Sequence, residues 1–313
     1  MIVTARAWSK INLHLGVGAA RGDGFHELLT VFQTLDLHDE VTLRIDPSRP
    51  AGAGSVVRSL TSSGASGVPA DESNLAWRAV DALVGHWRAA HPGEPLATVD
   101  IHIRKGIPVA GGMAGGSADA AAALRAVDSW LGPFGQDTLL VIASGLGSDV
   151  PFTLLGGTML GTGRGEKLVD VLCRGRYHWA IAVSPRGLST PTVFNKLDQM
   201  QRVPSLDIDE LVRALLSGDP HELAPHLRND LQAAALSLRP DLRGTLAAGT
   251  RAGALAGIVS GSGPTVAFLC ADARHAEDVA EEIRDAVSIV VHTASGPVPP
   301  PHRGAHIIST ESE

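Results

Sequence analysis

Lys105-Gly-Ile-Pro-Val-Ala-Gly-Gly-Met-Ala-Gly-Gly-Ser-Ala-Asp-Ala-Ala-Ala-Ala-Leu-Arg-Ala-Val-Asp-Ser-Trp-Leu131 is the stretch from which the fold of this chain is read. The alternating residues Val99 to Arg104 lead into it as a strand. Gly111, Gly112, Gly115 and Gly116 follow, with Met113 the only bulky side chain among them. Ser117 is a candidate N-cap and Asp119 falls in the first turn of a helix. The helix runs on through the small and apolar residues Ala120 to Leu131. Strand, glycine loop and helix N-terminus together make an anion site. Glycine lets backbone N–H groups approach a phosphate, and the helix dipole favours negative charge there. The bland alternative is a tight turn under a small-residue helix. Against it stands the backbone entropy that four glycines in six residues cost. No Gly-Lys-[Ser/Thr] closes the loop, so it is not a Walker A motif, and it does not match Gly-x-Gly-x-x-Gly.

The chain of 313 residues is long enough for two domains. It is 44% hydrophobic and 19% charged, the composition of a globular protein. A net charge of −7 argues against nucleic acid or an anionic membrane surface as a partner. No apolar run is long enough to span a bilayer, and the first residues lack a signal-peptide pattern. Two cysteines, Cys173 and Cys270, read as buried thiols of a reducing cytoplasm rather than as a disulfide framework. Metal-binding spacings are absent, since His221-Glu222 and His226 are one residue too far apart for His-Glu-x-x-His. Nothing here demands more than a monomer or a weak homodimer.

Residues 2–8 and 11–17 read as strands flanking Ser9-Lys10, with Asn12 and His14 on the polar face of the second. Phe25-His26 offers a ring to stack on and an imidazole to hydrogen-bond, although such pairs usually only pack. Residues 29–45 read as strand. Residues 46–70, rich in Gly, Ser, Ala and Pro, read as a long loop or an edge hairpin. A helix follows from Asn74 to Trp87, capped by Asp71 or Ser73, and a short one lies at 139–143. Asp149 stands at a turn where an N-cap is the simplest role. The glycines of 154–162 are expected to pack against the phosphate loop. The second half reads as strand 179–183, an extended loop through Thr190, Pro191 and Phe194, helices at 208–216 and 241–254, a strand–turn–strand at 257–269, helix 275–286 and strand 287–292. This order suits a split βαβ sandwich. The predicted division is 1–167, 168–296 and an irregular, proline-rich tail 297–313.

Three separated motifs carry a resemblance. Ala7-Trp-Ser-Lys-Ile-Asn-Leu13, Pro108 to Ala118 and Val259-Ser-Gly-Ser-Gly-Pro-Thr265 resemble, in order, the three motifs of the GHMP kinases. These are the kinases of galactose, homoserine, mevalonate and phosphomevalonate. The resemblance implies an α+β fold, with a ribosomal-protein-like N-terminal domain and a ferredoxin-like C-terminal one. It implies phosphoryl transfer from ATP, with Mg²⁺, to an alcohol. Ser9-Lys10-Ile-Asn12-Leu, Arg21-Gly-Asp-Gly-Phe-His26 and Gly147-Ser-Asp149-Val-Pro-Phe152 are similar to the branch whose alcohol carries a cytidine diphosphate group. Asp149 would then be the general base, and Lys10 the cation that keeps it a carboxylate and balances charge. Pro108, Val109, Ala110, Gly111, Gly112, Met113, Ala114, Gly115, Gly116, Ser117 and Ala118 would wrap the ATP phosphates, with Asn74 and Lys105 near the nucleoside. Phe25, His26 and Phe194 would clamp cytosine, and Asn12, Thr190 and Pro191 would line the remaining cleft. The chain departs from the pattern in Phe25, often Tyr, and in a loop with Ala114 and a lone Ser117. The metal ligands are therefore left unassigned, with Asp119 or Ser117 as candidates acting through water. A kinase of a short acyclic alcohol has no base to stack on Phe25-His26, and a nucleotide-binding regulator has no use for Lys10 with Asp149.

Overall fold

The computed structural model describes residues 1–22, 24–109 and 111–312. Asp23 and Ala110, both in motifs read above, lie outside them. Two sheets organise the chain. The first begins with β1 (Ile2–Ala20) and β2 (His26–Pro50), which pair antiparallel from Ile2↔Arg44 to Ala20↔His26. The two strands expected at 2–8 and 11–17 are one. Ser9-Lys10 does not break the strand; register shifts at Trp8/Ser9 and Asn12/His14 bend it instead. The predicted loop at 46–70 is also partly regular. β2 continues to Pro50, and β3 (Val57–Ser63) pairs parallel with β4 (Ala97–Arg104). Buried Val56, Val57 and Leu60 hold this edge against the core.

Between these strands lies α1 (Leu75–Ala90), which buries Ala76, Ala79, Val80, Leu83, Val84 and Trp87. After β4 come α2 (Gly115–Leu131), α3 (Gln136–Leu146) and α4 (Val150–Leu155). Ala118 to Leu124 of α2 are wholly or nearly buried, because the helix has α1 and α4 beside it and β1 and β2 beneath it. An alanine run serves this place twice: it favours helix and allows close approach on every side. β5 (Thr158–Thr162) and β6 (Lys167–Asp170) complete this part. Gly156 and Gly161, expected to pack on the phosphate loop, instead face Arg303-Gly304 and Phe32.

The second sheet holds β7 (Tyr177–Val183). Helices α5 (Thr190–Asp198), α6 (Asp209–Ser217) and α7 (Pro220–Leu223), the short strand β8 (Arg228–Asn229), and helices α8 (Gln232–Leu238) and α9 (Leu242–Arg251) come next. β9 (Ala256–Val259), β10 (Val266–Cys270), α10 (Ala273–Val287) and β11 (Val290–Gly296) close it. The order β11-β7-β10-β9, all antiparallel with α10 packed on β7, β10 and β11, is the ferredoxin-like split βαβ expected. The stretch read as an extended loop at 184–194 turns helical at Thr190, with Pro191 in the first turn, a position that suits proline.

Two returns tie the halves together. β8 pairs parallel with β1, and the tail, expected to be irregular, ends in β12 (His306–Glu311), antiparallel to the free edge of β1. An open edge of a 19-residue strand is thereby covered. Among the described residues no helix is long and apolar enough to cross a membrane.

Candidate active site

A cleft of about 1140 Å³ lies where the two sheets meet. Lys10 sits between the register shifts at Trp8/Ser9 and Asn12/His14 of β1, its side chain 5% exposed. Its N–H donates to the Met113 carbonyl at 3.3 Å, and its Nζ donates to Asn12 Oδ1 at 2.7 Å. The Asn12 amide donates to Thr30 Oγ1, which donates in turn to the His14 carbonyl. This chain fixes the lysine tip. Asp149 Oδ2 stands 3.4 Å from Lys10 Nζ. Asp149 occupies the N-cap position of α4, yet its side chain makes no capping bond. The carboxylate is thus left to the cleft and to Lys10, and the simple cap role is not the one it fills. Gly261 closes the back of this centre, since a Cβ there would lie 3.4 Å from Lys10 Nζ in a left-handed conformation.

The glycine loop is held from the other half of the chain. Ser260 Oγ donates to the Gly112 carbonyl at 2.8 Å and Thr265 Oγ1 to the Gly111 carbonyl at 2.7 Å. Asn229 Nδ2 steadies the clasp by donating to the carbonyls of Val259 and Gly261. The predicted cap Ser117 is not the cap. The cap position falls three residues earlier, at Ala114, which is in a left-handed conformation and makes no side-chain cap. The first helical bond runs from Ala118 N–H to the Ala114 carbonyl, so Gly115, Gly116 and Ser117 keep N–H groups without a helical partner. These three residues line the cleft, as do Pro108, Val109, Gly111, Gly112 and Ala114. Met113 and Ala118 do not; both side chains are buried in the core, and Ala110 lies outside the described residues. Asn74, not Asp71 or Ser73, caps α1: its Oδ1 accepts from Ala76 N–H at 2.8 Å and its amide donates to the Pro69 carbonyl. It lines the cleft beside Leu75.

Lys105 lines the cleft, as expected of a residue near a bound nucleotide, and is also held in a buried ion triad. Its ammonium donates to Asp39 Oδ2 at 2.5 Å and to Asp119 Oδ2 at 2.7 Å, with all three side chains almost wholly buried. Asp39 also accepts from the N–H groups of Gly106 and Ile107. The triad thus pins the entry of the loop to the first turn of α2. Burial pushes the Asp119 carboxyl up to about 7, with Lys105 opposing the shift and Asp39 adding to it. Burial alone would lower the Lys105 ammonium, but the two carboxylates outweigh it and hold it above its ordinary value. Asp119 Oδ1 is buried without a partner among the described residues. Asp39 had no local signal in the sequence; its partners Lys105, Gly106 and Ile107 lie 66, 67 and 68 residues away.

At the other end, His26 and Phe194 pack with ring centroids 5.1 Å apart, tilted by 31°. His26 Nε2 is 2.8 Å from Asp198 Oδ1, a partner one turn beyond Phe194 on α5 that sequence reading missed. Phe25 is 49% exposed at the rim, with the Arg164 guanidinium over its ring at 5.0 Å. Thr190 Oγ1 meets Ser262 Oγ at 2.7 Å, and Pro191 follows it on the cleft wall. The structure therefore gathers Phe25, His26, Phe194, Asn12, Thr190 and Pro191 along one cleft from three separate regions of sequence.

A Mg²⁺ ion carried by nucleotide phosphates needs only one or two protein oxygens. The Ser117 hydroxyl and the Asp149 carboxylate, on the cleft wall and 31% exposed in the latter case, fit that need. Asp119 does not, being 4% exposed and engaged by Lys105.

Comparison with known proteins identifies the family of this chain. Residues 74–157 match the model of the GHMP kinases N terminal domain, and residues 211–289 that of the GHMP kinases C terminal. The chain is 64% identical over 316 residues to the 4-diphosphocytidyl-2-C-methyl-D-erythritol kinase of Corynebacterium efficiens, covering 100% of both. A crystal structure of 4-(cytidine 5'-diphospho)-2C-methyl-D-erythritol kinase is 30% identical with a TM-score of 0.72, covering 95% of this chain and 100% of that one. A homoserine kinase from Cytophaga hutchinsonii has a TM-score of 0.74 at 20% identity over 98% and 97% of the chains, a likeness of fold alone. With both domain models matched in order and a full-length relative at this identity, the chain belongs to the 4-diphosphocytidyl-2-C-methyl-D-erythritol kinases, a branch of the GHMP kinases.

Proposed function

We propose that the protein transfers the γ-phosphoryl group of Mg²⁺-ATP to the 2-hydroxyl of 4-diphosphocytidyl-2-C-methyl-D-erythritol, a step of the non-mevalonate route to isoprenoid precursors. The observation that carries this reading is the Asp149 carboxylate, free of any capping bond and 3.4 Å from Lys10 Nζ, in the same cleft as the uncapped N-terminus of α2. Phosphoryl transfer asks mainly for positioning and for charge stabilisation. The N–H groups of Gly115, Gly116 and Ser117 cradle the phosphates. Asp149 takes the proton of the attacking hydroxyl, and Lys10 neutralises charge as the new bond forms. Mg²⁺ would supply charge neutralisation of the phosphates, and Ser117 and Asp149 are the cleft-wall residues that would hold it.

Phe25, the His26–Phe194 pair and Asp198 form the acceptor end. A flat pyrimidine gains about 1–3 kcal/mol from each aromatic stack, and the imidazole, oriented by Asp198, meets its polar edge. A site built to hydrogen-bond a base rejects molecules that lack it by large factors. The test is steady-state kinetics with ATP against the cytidylylated alcohol, methylerythritol phosphate, homoserine and mevalonate. Only the first is expected to turn over well, and His26→Ala should raise its KM while leaving the KM for ATP almost unchanged. Comparable use of the bare polyol phosphate, or of homoserine, would defeat the cytosine clamp and with it the choice of substrate.

A further inference from the structure

A cytidylylated alcohol brings an ionised diphosphate into the cleft, with negative charge on each phosphate at neutral pH. That charge must be met inside a site that also holds the phosphates of ATP. Among the described residues lining the cleft, the permanent cations are Lys10, Lys105 and Arg164. Lys105 is neutralised by two carboxylates and is 3% exposed. Lys10 is tied to Asn12 and faces Asp149. Arg164 has no carboxylate within ion-pair distance among the described residues.

The position of Arg164 is built rather than accidental. It stands in the turn between β5 and β6, between Gly163 and Gly165, both in left-handed conformations. The turn is bonded to the segment that carries Phe25 and His26. The Leu28 N–H donates to the Gly163 carbonyl at 2.8 Å, and the Gly163 N–H donates to Glu27 Oε1 at 3.0 Å. Glu166 accepts from the Arg164 N–H at 2.6 Å and so fixes the backbone from the other side. The guanidinium carbon then lies over Phe25, 5.0 Å from the ring centroid. An arginine on an aromatic face loses little by being held there, and it keeps a planar fork of donors for paired phosphate oxygens.

We propose that Arg164 binds the diphosphate of the acceptor substrate, stacked on the ring that meets its base, and so selects cytidine diphosphate derivatives over unphosphorylated cytidine compounds. The proposal rests on the acceptor reading given under Proposed function. One clamp then reads base and diphosphate together, and Lys10 remains with the reacting hydroxyl.

The test is calorimetric titration of CDP and of cytidine, with the ATP site filled by a non-hydrolysable ATP analogue. A charge-assisted hydrogen bond removed from a binding site costs about 10–100-fold. Arg164→Gln is expected to weaken CDP binding by that factor and to change cytidine binding by less than about twofold. Arg164→Lys, which keeps the charge and loses the fork, should fall between. Equal weakening of CDP and cytidine would mean that Arg164 serves only to hold Phe25, and would overturn the proposal. Unchanged CDP binding would overturn it as well, while leaving the substrate reading intact. A wild-type protein that binds neither ligand overturns the substrate reading itself, and Arg164's role falls with it.

Discussion

Lys10 and Lys105 both stand against the glycine loop, Lys10 at Met113 and Lys105 beside Gly115, both buried and both next to aspartate, and their surroundings differ in how completely the ammonium is enclosed. Lys105 is closed: two carboxylates within 2.7 Å, 3% exposed, and Asp39 turned further to backbone N–H groups. Lys10 is open on one side: a neutral amide at 2.7 Å fixes it, and among the described residues the one carboxylate within ion-pair distance, at 3.4 Å, belongs to a residue 31% exposed. A closed ion triad holds backbone segments together. An open pair holds a charge ready for a substrate that arrives from the cleft. On the function proposed above, the same residue types serve architecture in one place and chemistry in the other, according to how completely their hydrogen bonds are met.

The sharpest way to break this comparison is at Asp149. Asp149→Asn keeps shape and removes basicity, and turnover should fall on the order of 10²–10⁴ with the melting temperature unchanged. A folded variant that turns over near the wild-type rate would return Asp149 to a structural role. Lys105→Met should do the reverse. It leaves Asp39 and Asp119 buried and uncompensated, a loss of about 3–5 kcal/mol of stability, measured by urea unfolding. A stable Lys105→Met with a strong loss of activity would make the triad catalytic after all.

A smaller contrast lies within the loop. A Cβ at Gly112 would fall 2.4 Å from the Ser260 carbonyl oxygen, at a φ of +88, whereas at Gly116 it meets only Leu75 Cδ1 at 3.7 Å. Gly116→Val should weaken ATP binding by at least about tenfold while shifting the melting temperature little, because the side chain would block phosphate approach. Gly112→Ala should mainly destabilise. Equal ATP affinity in Gly116→Val, measured by titration, would remove the phosphate role of that N-terminus.

The smallest effect is a pH dependence. Folded Asp119 keeps its proton up to about 7, whereas the unfolded residue releases it near 3.8. Between those values the folded chain binds more protons, so this contribution to stability is full at low pH and is lost as pH rises through about 7. The groups facing Asp119 are Asp39 and Lys105. Asp119→Asn has no proton to lose, so its melting temperature should gain on the wild type by about 2–4 °C for each kcal/mol between pH 5 and pH 7. A constant difference across that range would show that Asp119 is ionised throughout.

Much of this protein is determined by local sequence. The glycine loop before an alanine run, Lys10 between polar strand residues, and the strand–turn–strand at 257–269 are short-range patterns, and each lies where its spacing placed it. Backbone preference and side-chain periodicity act over a few residues, so they are written in a few residues. The tertiary structure decided what lies between distant segments. That the C-terminal tail returns as β12 beside β1, that Asp39 closes on Lys105, and that Asp198 orients His26 across 172 residues are pairings for which no local pattern exists. It also decided which lysine is free to act. Both sit in polar stretches next to glycine or small residues, and the number of carboxylates brought to each by the fold separates the enclosed cation from the one that faces the cleft, for which we propose the catalytic role.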